Sequence, residues 1–247
     1  NEAEWIFALG QDNQKYIITT PKKNSGNRNA RVGFGITSWE NEVGADATTG
    51  ALDSNEWKLV TSVISGSDQV ITLYVDGVEV SSGSTKGYTL AQINNGSGRS
   101  GYIGRSFYSG DPYFGGMIAD FEVYDGALTS SEVKALMPEA DEKIAKLNKM
   151  IFDFVADELN YSDFLYKNAS KDAVITNLVL PSQWESGTTI IWKSSNSEVI
   201  ANDGTVIRPN FVDGDQAVVL TATITDGVNS TNREFTVTVI KMPQDYE

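Results

Sequence analysis

The chain predicts an all-β fold made of two sandwiches joined by a helical segment, and three observations carry that prediction. Apolar and polar residues alternate with period two through most of the first half of the 247 residues. Around Pro138 the period changes to that of a helix, and from residue 159 onward the alternation returns. Turn-forming Gly, Asn, Asp and Ser punctuate the alternating runs at spacings of about 8–12 residues, the rhythm of short sandwich strands.

In the first half, EWIFALG, KYIITT, RVGFGI, EWKLVTSVIS, QVITLYVDG, GYIGRS and GMIADFEVYDG each read as a strand. Asp76-Gly77 between two alternating runs marks a tight hairpin, because both central residues of such a turn need left-handed backbone. ALTSSEVKALMPEADEKIAKLNKMIFDFVADEL then carries apolar residues at helical spacing. A short turn capped by Thr129 or Ser130 precedes Pro138, and a longer helix follows over 139–158 with Ile144, Leu147, Ile151 and Val155 on one face. AVITNLVLP, TTIIWKSS, GTVIRP, AVVLTATIT and REFTVTVIK give five further strands, the content of a small Ig-like sandwich without its Cys…Trp…Cys signature. The organisation is thus a first module over 1–137, a helical linker over 138–158 and a second module over 159–247. Trp5, Trp57, Phe121 and Trp192 lie on strands and are expected in the cores.

Composition excludes several classes of function. Lys and Arg number 19 against 33 Asp and Glu, a net charge of −14. The acidity is spread over both halves, so nucleic acid is not an expected partner, and polyanionic sugars are disfavoured unless a local patch overrides the field. The chain has no cysteine and no histidine, which removes disulfides, thiolate or imidazole metal sites, and nucleophile pairs built on histidine. No apolar run reaches the roughly 18 residues of a membrane helix, so membrane insertion is not expected. The sequence starts at Asn1 without a signal peptide and reads as a mature piece or an excised fragment.

Three patterns with catalytic precedent find plainer explanations. GSGRSG places Gly96, Gly98 and Gly101 at dinucleotide-loop spacing, but no helix follows to supply amides to a pyrophosphate. Ser131 to Lys134 matches S-x-x-K, yet a capped helical turn explains it and the accompanying motifs of penicillin-recognising enzymes are absent. A glycosidase needs two carboxylates facing one cleft, whereas Asp53, Asp76, Asp111, Asp125, Asp203, Asp213 and Asp215 sit in turns, where solvated turn chemistry accounts for them.

EWKLVTSVISGSDQVITLYVDGVEV, GYIGRS and FGGMIADFEVYDGALTSSEVKAL together resemble the laminin-G-like, concanavalin-A-like jelly-roll module of bacterial surface and carbohydrate-active proteins. Trp57, Tyr74, Asp76, Gly77, Gly104, Gly116, Asp120, Tyr124, Leu128 and Glu132 fall on the marks of that family. The second half, through Leu180-Pro181, IIWKSSNSEVI, GTVIRP and VVLTATIT, is similar to an atrophied bacterial Ig-like domain. The resemblances cover residues 1–137 and 160–243. Family members carry two or three strands ahead of the segment matching EWIFALG, so the resemblance implies that those strands come from upstream or from another chain, or that two copies pair edge to edge.

The resemblance implies a non-catalytic accessory fragment of a secreted or cell-surface bacterial glycoside hydrolase, beside the remaining domains of its parent protein. The jelly roll would bind plant or host polysaccharide and the Ig-like domain would act as a spacer. A structural or adhesive surface module without glycan affinity is the alternative. Sugar binding draws on aromatic faces, which selects loop aromatics: Trp39, and Phe107, Tyr108, Tyr113 and Phe114. Of these Trp39, Tyr108 and Tyr113 are the candidate carbohydrate-binding residues, with loop packing as the competing role. A structural calcium ion is implied at Asp120, a hard oxygen ligand on the closing strand that could equally pair with a neighbour or face solvent.

Overall fold

The computed structural model describes residues 4–23, 29–48, 50, 52, 56–93, 98 and 100–244. The chain divides into two compact units, residues 1–144 and 145–247, with the division inside a helix.

In the first unit, β1 (Phe7–Gly10), β2 (Tyr16–Thr20), β3 (Arg31–Gly35) and β4 (Val43–Asp46) are followed by β5 (Val60–Ser65), β6 (Val70–Val75) and β7 (Val78–Ser84). A short helix, α1 (Leu90–Ile93), leads into β8 (Ser100–Ile103). Two antiparallel sheets result, in the orders β4-β3-β2-β1-β8 and β5-β6-β7. Period-two alternation sends Val32, Phe34, Val43 and Ala45 to one face of the larger sheet, where they pack with Ile71 and Leu73 of β6. Tight backbone approach closes one side: a Cβ on Gly83 of β7 would come within 2.4 Å of the Gly44 carbonyl oxygen of β4. The Asp76-Gly77 hairpin forms as expected, with φ of 50° and 72° at its two central residues.

Several expectations need correction. GMIADFEVYDG forms no strand, and Phe121 is half-buried rather than part of a core. Its pattern suits a strand, but no neighbouring backbone among the described residues pairs with it, and a strand without a ladder is not stable. Although the resemblance puts two or three strands ahead of EWIFALG, β1 already has a partner on either side, β2 and β8. Trp57 is half-buried, and β4, hidden in the sequence by the charges and glycine of ENEVGAD, pairs along β3. Gly96 lies outside the described residues, while Ser100 and Gly101 open β8, so a strand and not a helix follows the glycine-rich stretch.

Thr129 caps α2 (Ser130–Ala135) through a reciprocal box: the Thr129 N–H donates to Glu132 Oε2 at 2.7 Å and the Glu132 N–H to Thr129 Oγ1 at 3.3 Å. That accounts for the S-x-x-K match. α3 (Met137–Glu158) places Pro138 in its first turn, where a missing N–H costs no helical bond. The apolar stripe of α3 is shifted from the expected one: Phe152, Val155 and Ala156 are buried, whereas Ile151 is exposed.

The second unit holds β9 (Thr189–Ser194), β10 (Gln216–Thr225) and β11 (Ser230–Val239) in the antiparallel order β11-β10-β9. AVITNLVLP and GTVIRP contribute isolated bridges instead of strands, Val174 to Val239 and Ile200 to Val206. Side-chain amides take the place of ladder partners there. The N–H groups of Ile175 and Thr176 donate to Asn168 Oδ1 at 2.8 and 2.9 Å, and that of Val206 to Asn177 Oδ1 at 2.9 Å. Phe164, Trp192 and Phe235 form the centre of the core, with ring centroids 5.1–5.8 Å apart. The all-β class, with a jelly-roll-type and an Ig-like module and a helical connection, is what the sequence predicts. No helix among the described residues is long and apolar enough to cross a membrane.

Candidate functional site

The face of the larger sheet opposite the inter-sheet core is polar and aromatic. Register brings Tyr16 against Gly35 and Gly10, Ile18 against Gly33 and Ala8, Ala8 against Tyr102, and Arg31 against Asp46. Because these positions share one parity, they share one face. The glycines of RVGFG make the floor. A Cβ on Gly35 would come within 3.0 Å of the Tyr16 ring, and one on Gly33 within 2.6 Å of the Glu42 carboxylate.

Over this floor Trp5, Tyr16 and Tyr108 form a triangle with centroids 5.4, 5.7 and 6.2 Å apart. The Tyr108 hydroxyl donates to the Asn13 carbonyl at 2.7 Å and lies 3.5 Å from the Tyr16 hydroxyl. Burial, with the Glu42 carboxylate beside it, holds the Tyr16 hydroxyl protonated well above the ordinary phenol range. Arg31 Nε donates to Glu42 Oε1 at 2.7 Å, and its other arm reaches Asp46 Oδ1 at 2.5 Å; Lys23 Nζ meets Asp46 Oδ2 at 2.5 Å. Burial opposes charge on Asp46, but the hydrogen bonds from Lys23 and Arg31 outweigh it and its carboxyl titrates below the usual range. Burial likewise opposes the charge on Arg31, and Glu42 and Asp46 outweigh it and raise its pKa.

Trp39 opens a single helical turn at the rim, 66% exposed, with its backbone close enough to the Tyr108 hydroxyl to lower that group's pKa; burial raises it by more. The structure therefore brings Trp39 and Tyr108 together but gives them different surroundings: Trp39 is open, and Tyr108 is half-buried in the aromatic cluster. Tyr113 is 70% exposed, makes no ring contact with either, and belongs to a second group. The Arg105 guanidinium lies 4.7 Å from the Tyr102 ring centroid and 5.9 Å from that of Tyr113. An open aromatic rim above hydrogen-bonding side chains can stack on a sugar ring and read its hydroxyls. The Tyr16–Glu42–Arg31 arrangement was not singled out from sequence, although glycine at alternate positions of RVGFG, with opposite charges on 31, 42 and 46, was the available signal.

Asp120 lies outside this face. Lys143 Nζ bonds Asp120 Oδ2 at 2.5 Å and Glu122 Oε1 at 2.7 Å, and these bonds lower the pKa of both carboxyls. Among the described residues, no group of three or more carboxylates gathers as a set of cation ligands. An open hollow of about 710 Å³ at Ser67–Val70 and Ser82–Ser84 carries no aromatic side chain and so lacks a stacking surface.

The chain matches known proteins in two blocks. Residues 156–242 fit the atrophied bacterial Ig domain, and residues 1–134 fit the concanavalin A-like lectin/glucanases superfamily. An alpha-L-arabinofuranosidase of Bifidobacterium longum subsp. longum is 26% identical over 246 residues, which is 96% of this chain and 20% of that protein. The chain thus spans about a fifth of the curated relative it matches. A crystallised part, residues 221–444, of an S-layer domain-containing protein from Clostridium thermocellum is 29% identical, with a TM-score of 0.29 over 55% of this chain and 63% of that one. With more than half of its length on one family and most of the remainder on the other, the chain belongs to the concanavalin A-like lectin/glucanases superfamily and continues into an atrophied bacterial Ig domain.

Proposed function

We propose that this chain is a non-catalytic accessory portion of a secreted or surface-attached bacterial glycoside hydrolase, in which the first unit binds polysaccharide and the second serves as a spacer. The observation that carries the reading is Trp39, 66% exposed at the rim of a polar, aromatic sheet face. An indole left in water at such a rim gains by covering a sugar ring. The arabinofuranosidase relative supports arabinose-containing plant polysaccharide as the ligand class. Trp39 supplies the stacking face, Tyr108 fixes the β1–β2 loop through the Asn13 carbonyl, and Tyr113 with Arg105 forms a further contact. A calcium ion belongs to the same reading, with Asp120 and Glu122 as ligands once Lys143 is displaced.

Calorimetry of the chain with soluble arabinan and arabinoxylan tests the reading. Binding that Trp39→Ala weakens about tenfold supports it. The absence of binding to either glycan overturns it in favour of a structural or adhesive module.

A further inference from the structure

Four arginines fall among the described residues, and three of them have oxygen acceptors. Arg31 meets Glu42 and Asp46, Arg208 donates to the carbonyls of Ile240 and Lys241, and Arg233 donates to the Ala156 carbonyl and to Asp157. Arg105 has no oxygen acceptor among the described residues; its guanidinium lies instead against the rings of Tyr102 and Tyr113. The hydroxyls of those two tyrosines likewise have no hydrogen-bond partner among the described residues. The acids of the adjoining chain are engaged elsewhere: the Asp111 carboxylate accepts from Ser106 Oγ at 2.6 Å, and that of Glu4 from the Gly115 N–H at 2.8 Å. A chain of net charge −14 offers carboxylates freely, so a guanidinium left without one is set apart.

The loop that carries Arg105 and Tyr113 is closed at its base, where the Phe114 N–H donates to the Gly104 carbonyl at 2.9 Å. Ser106, 3% exposed, braces it from inside by accepting the Tyr108 N–H at 2.8 Å. Tyr102 meets Phe107 at a centroid distance of 5.3 Å, and Phe107 packs on the cluster of Trp5 and Tyr16, so the arginine borders the sheet face described above.

We propose that Arg105, with Tyr102 and Tyr113, forms a subsite for a carboxylate-bearing sugar, a uronic acid carried on an otherwise neutral polysaccharide. The inference rests on the reading of the first unit as a glycan-binding module. Stacking on a ring occupies the face of a guanidinium and leaves its edge N–H groups free, and a carboxylate matches that edge with two parallel hydrogen bonds. The ring contacts also restrict the long side chain beforehand, so less freedom is lost on binding. Tyr113, 70% exposed, offers a flat surface to the sugar ring itself. A densely anionic polymer is a poorer ligand, because the net charge of −14 repels it and one guanidinium answers one carboxylate.

Calorimetry of the whole chain with glucuronoarabinoxylan, and with the same polymer after reduction of its carboxyl groups, tests this. Expected is about tenfold tighter binding of the acidic form at low salt, a preference that shrinks as added salt screens it. Arg105→Gln should erase the preference, bringing the acidic form to the affinity of the reduced one. Arg105→Lys should retain only part of it, since an ammonium lacks the two-pronged edge. Trp39→Ala should weaken both forms alike. Equal affinity for the two forms, or a preference that survives Arg105→Gln, overturns the subsite and leaves glycan binding standing; binding of neither polymer overturns both.

Discussion

The second unit has one contiguous core, in which Phe164 is fully buried and touches the rings of Tyr161, Trp192 and Phe235, while Phe154 and Tyr166 stay at the surface. The first unit divides its apolar residues, placing Val32, Phe34, Ile71 and Leu73 between the sheets and Trp5, Tyr16 and Ile18 on the outer face. It also carries its ion pairs Arg31–Glu42, Arg31–Asp46 and Lys23–Asp46 on the face away from the inter-sheet core. In the second unit the outward positions of β10, such as Thr221 and Thr223, oppose Glu234 and Asn232 with no aromatic among them. One unit draws its buried rings into a single cluster. The other adds a buried aromatic and charged sheet face to its inter-sheet core and leaves Trp39 open, and the proposed division into a recognition module and a spacer rests on that difference.

The sharpest way to break this comparison is to remove the centre of the second core. Phe164→Ala should cost about 3–5 kcal/mol, because a buried aromatic leaves a cavity that surrounding rings cannot fill. Urea denaturation followed by Trp fluorescence reads it. A loss below about 1 kcal/mol would mean that the cluster is not the main source of stability in that unit.

In the first unit, the corresponding test is polar. Glu42→Gln leaves Arg31 with Asp46 but takes a charged acceptor from a partly buried network, for an expected cost of about 2 kcal/mol. Acid should act in the same place. The carboxyl of Asp46 titrates below its unfolded value, so its stabilisation is complete above about pH 5 and is lost as pH falls through the depressed folded value. Urea midpoints measured between about pH 6 and pH 3 should fall less steeply for Asp46→Asn than for the natural chain.

Binding and packing come apart at the rim. Trp39→Ala should change stability by less than about 0.5 kcal/mol while weakening arabinan binding about tenfold. Tyr108→Phe should do the reverse, costing about 1 kcal/mol through the lost bond to the Asn13 carbonyl, with affinity nearly unchanged. Equal behaviour of the two variants would dissolve the distinction between open and packed aromatics.

Much of this was legible in the sequence because local pattern and tertiary environment agree. The Asp76-Gly77 hairpin, the Thr129 cap and the long alternation of AVVLTATIT each formed as their residues dictate. Agreement failed where pairing depends on distant residues. GMIADFEVYDG alternates as well as any strand in the chain, but a strand is a relation between two segments, and its own residues cannot supply the second. AVITNLVLP failed for another reason, since Asn168 takes the amides that a neighbouring strand would have taken. The rim was half legible. Aromatic residues in loops could be picked out, but whether each faces water or packs inward depends on partners such as Asn13 and Trp5, which no local pattern reveals.

The smallest expected effect concerns calcium, and it sets the acidic edge of the first unit against its sheet face. Asp120 and Glu122 already share the ammonium of Lys143, so a divalent cation must displace a bound charge before gaining their oxygens. The remaining ligands would be backbone carbonyls and water, which suits the weak millimolar range of extracellular calcium sites. Millimolar calcium should therefore raise the melting temperature of the natural chain by only about 1–2 °C. Lys143→Met removes the competitor and leaves the two carboxylates repelling one another, which strengthens their demand for a cation. The variant should melt lower than the natural chain in EDTA and recover more of the difference in calcium than in an equal ionic strength of sodium chloride. A calcium response identical in the two proteins would place any calcium site away from Asp120.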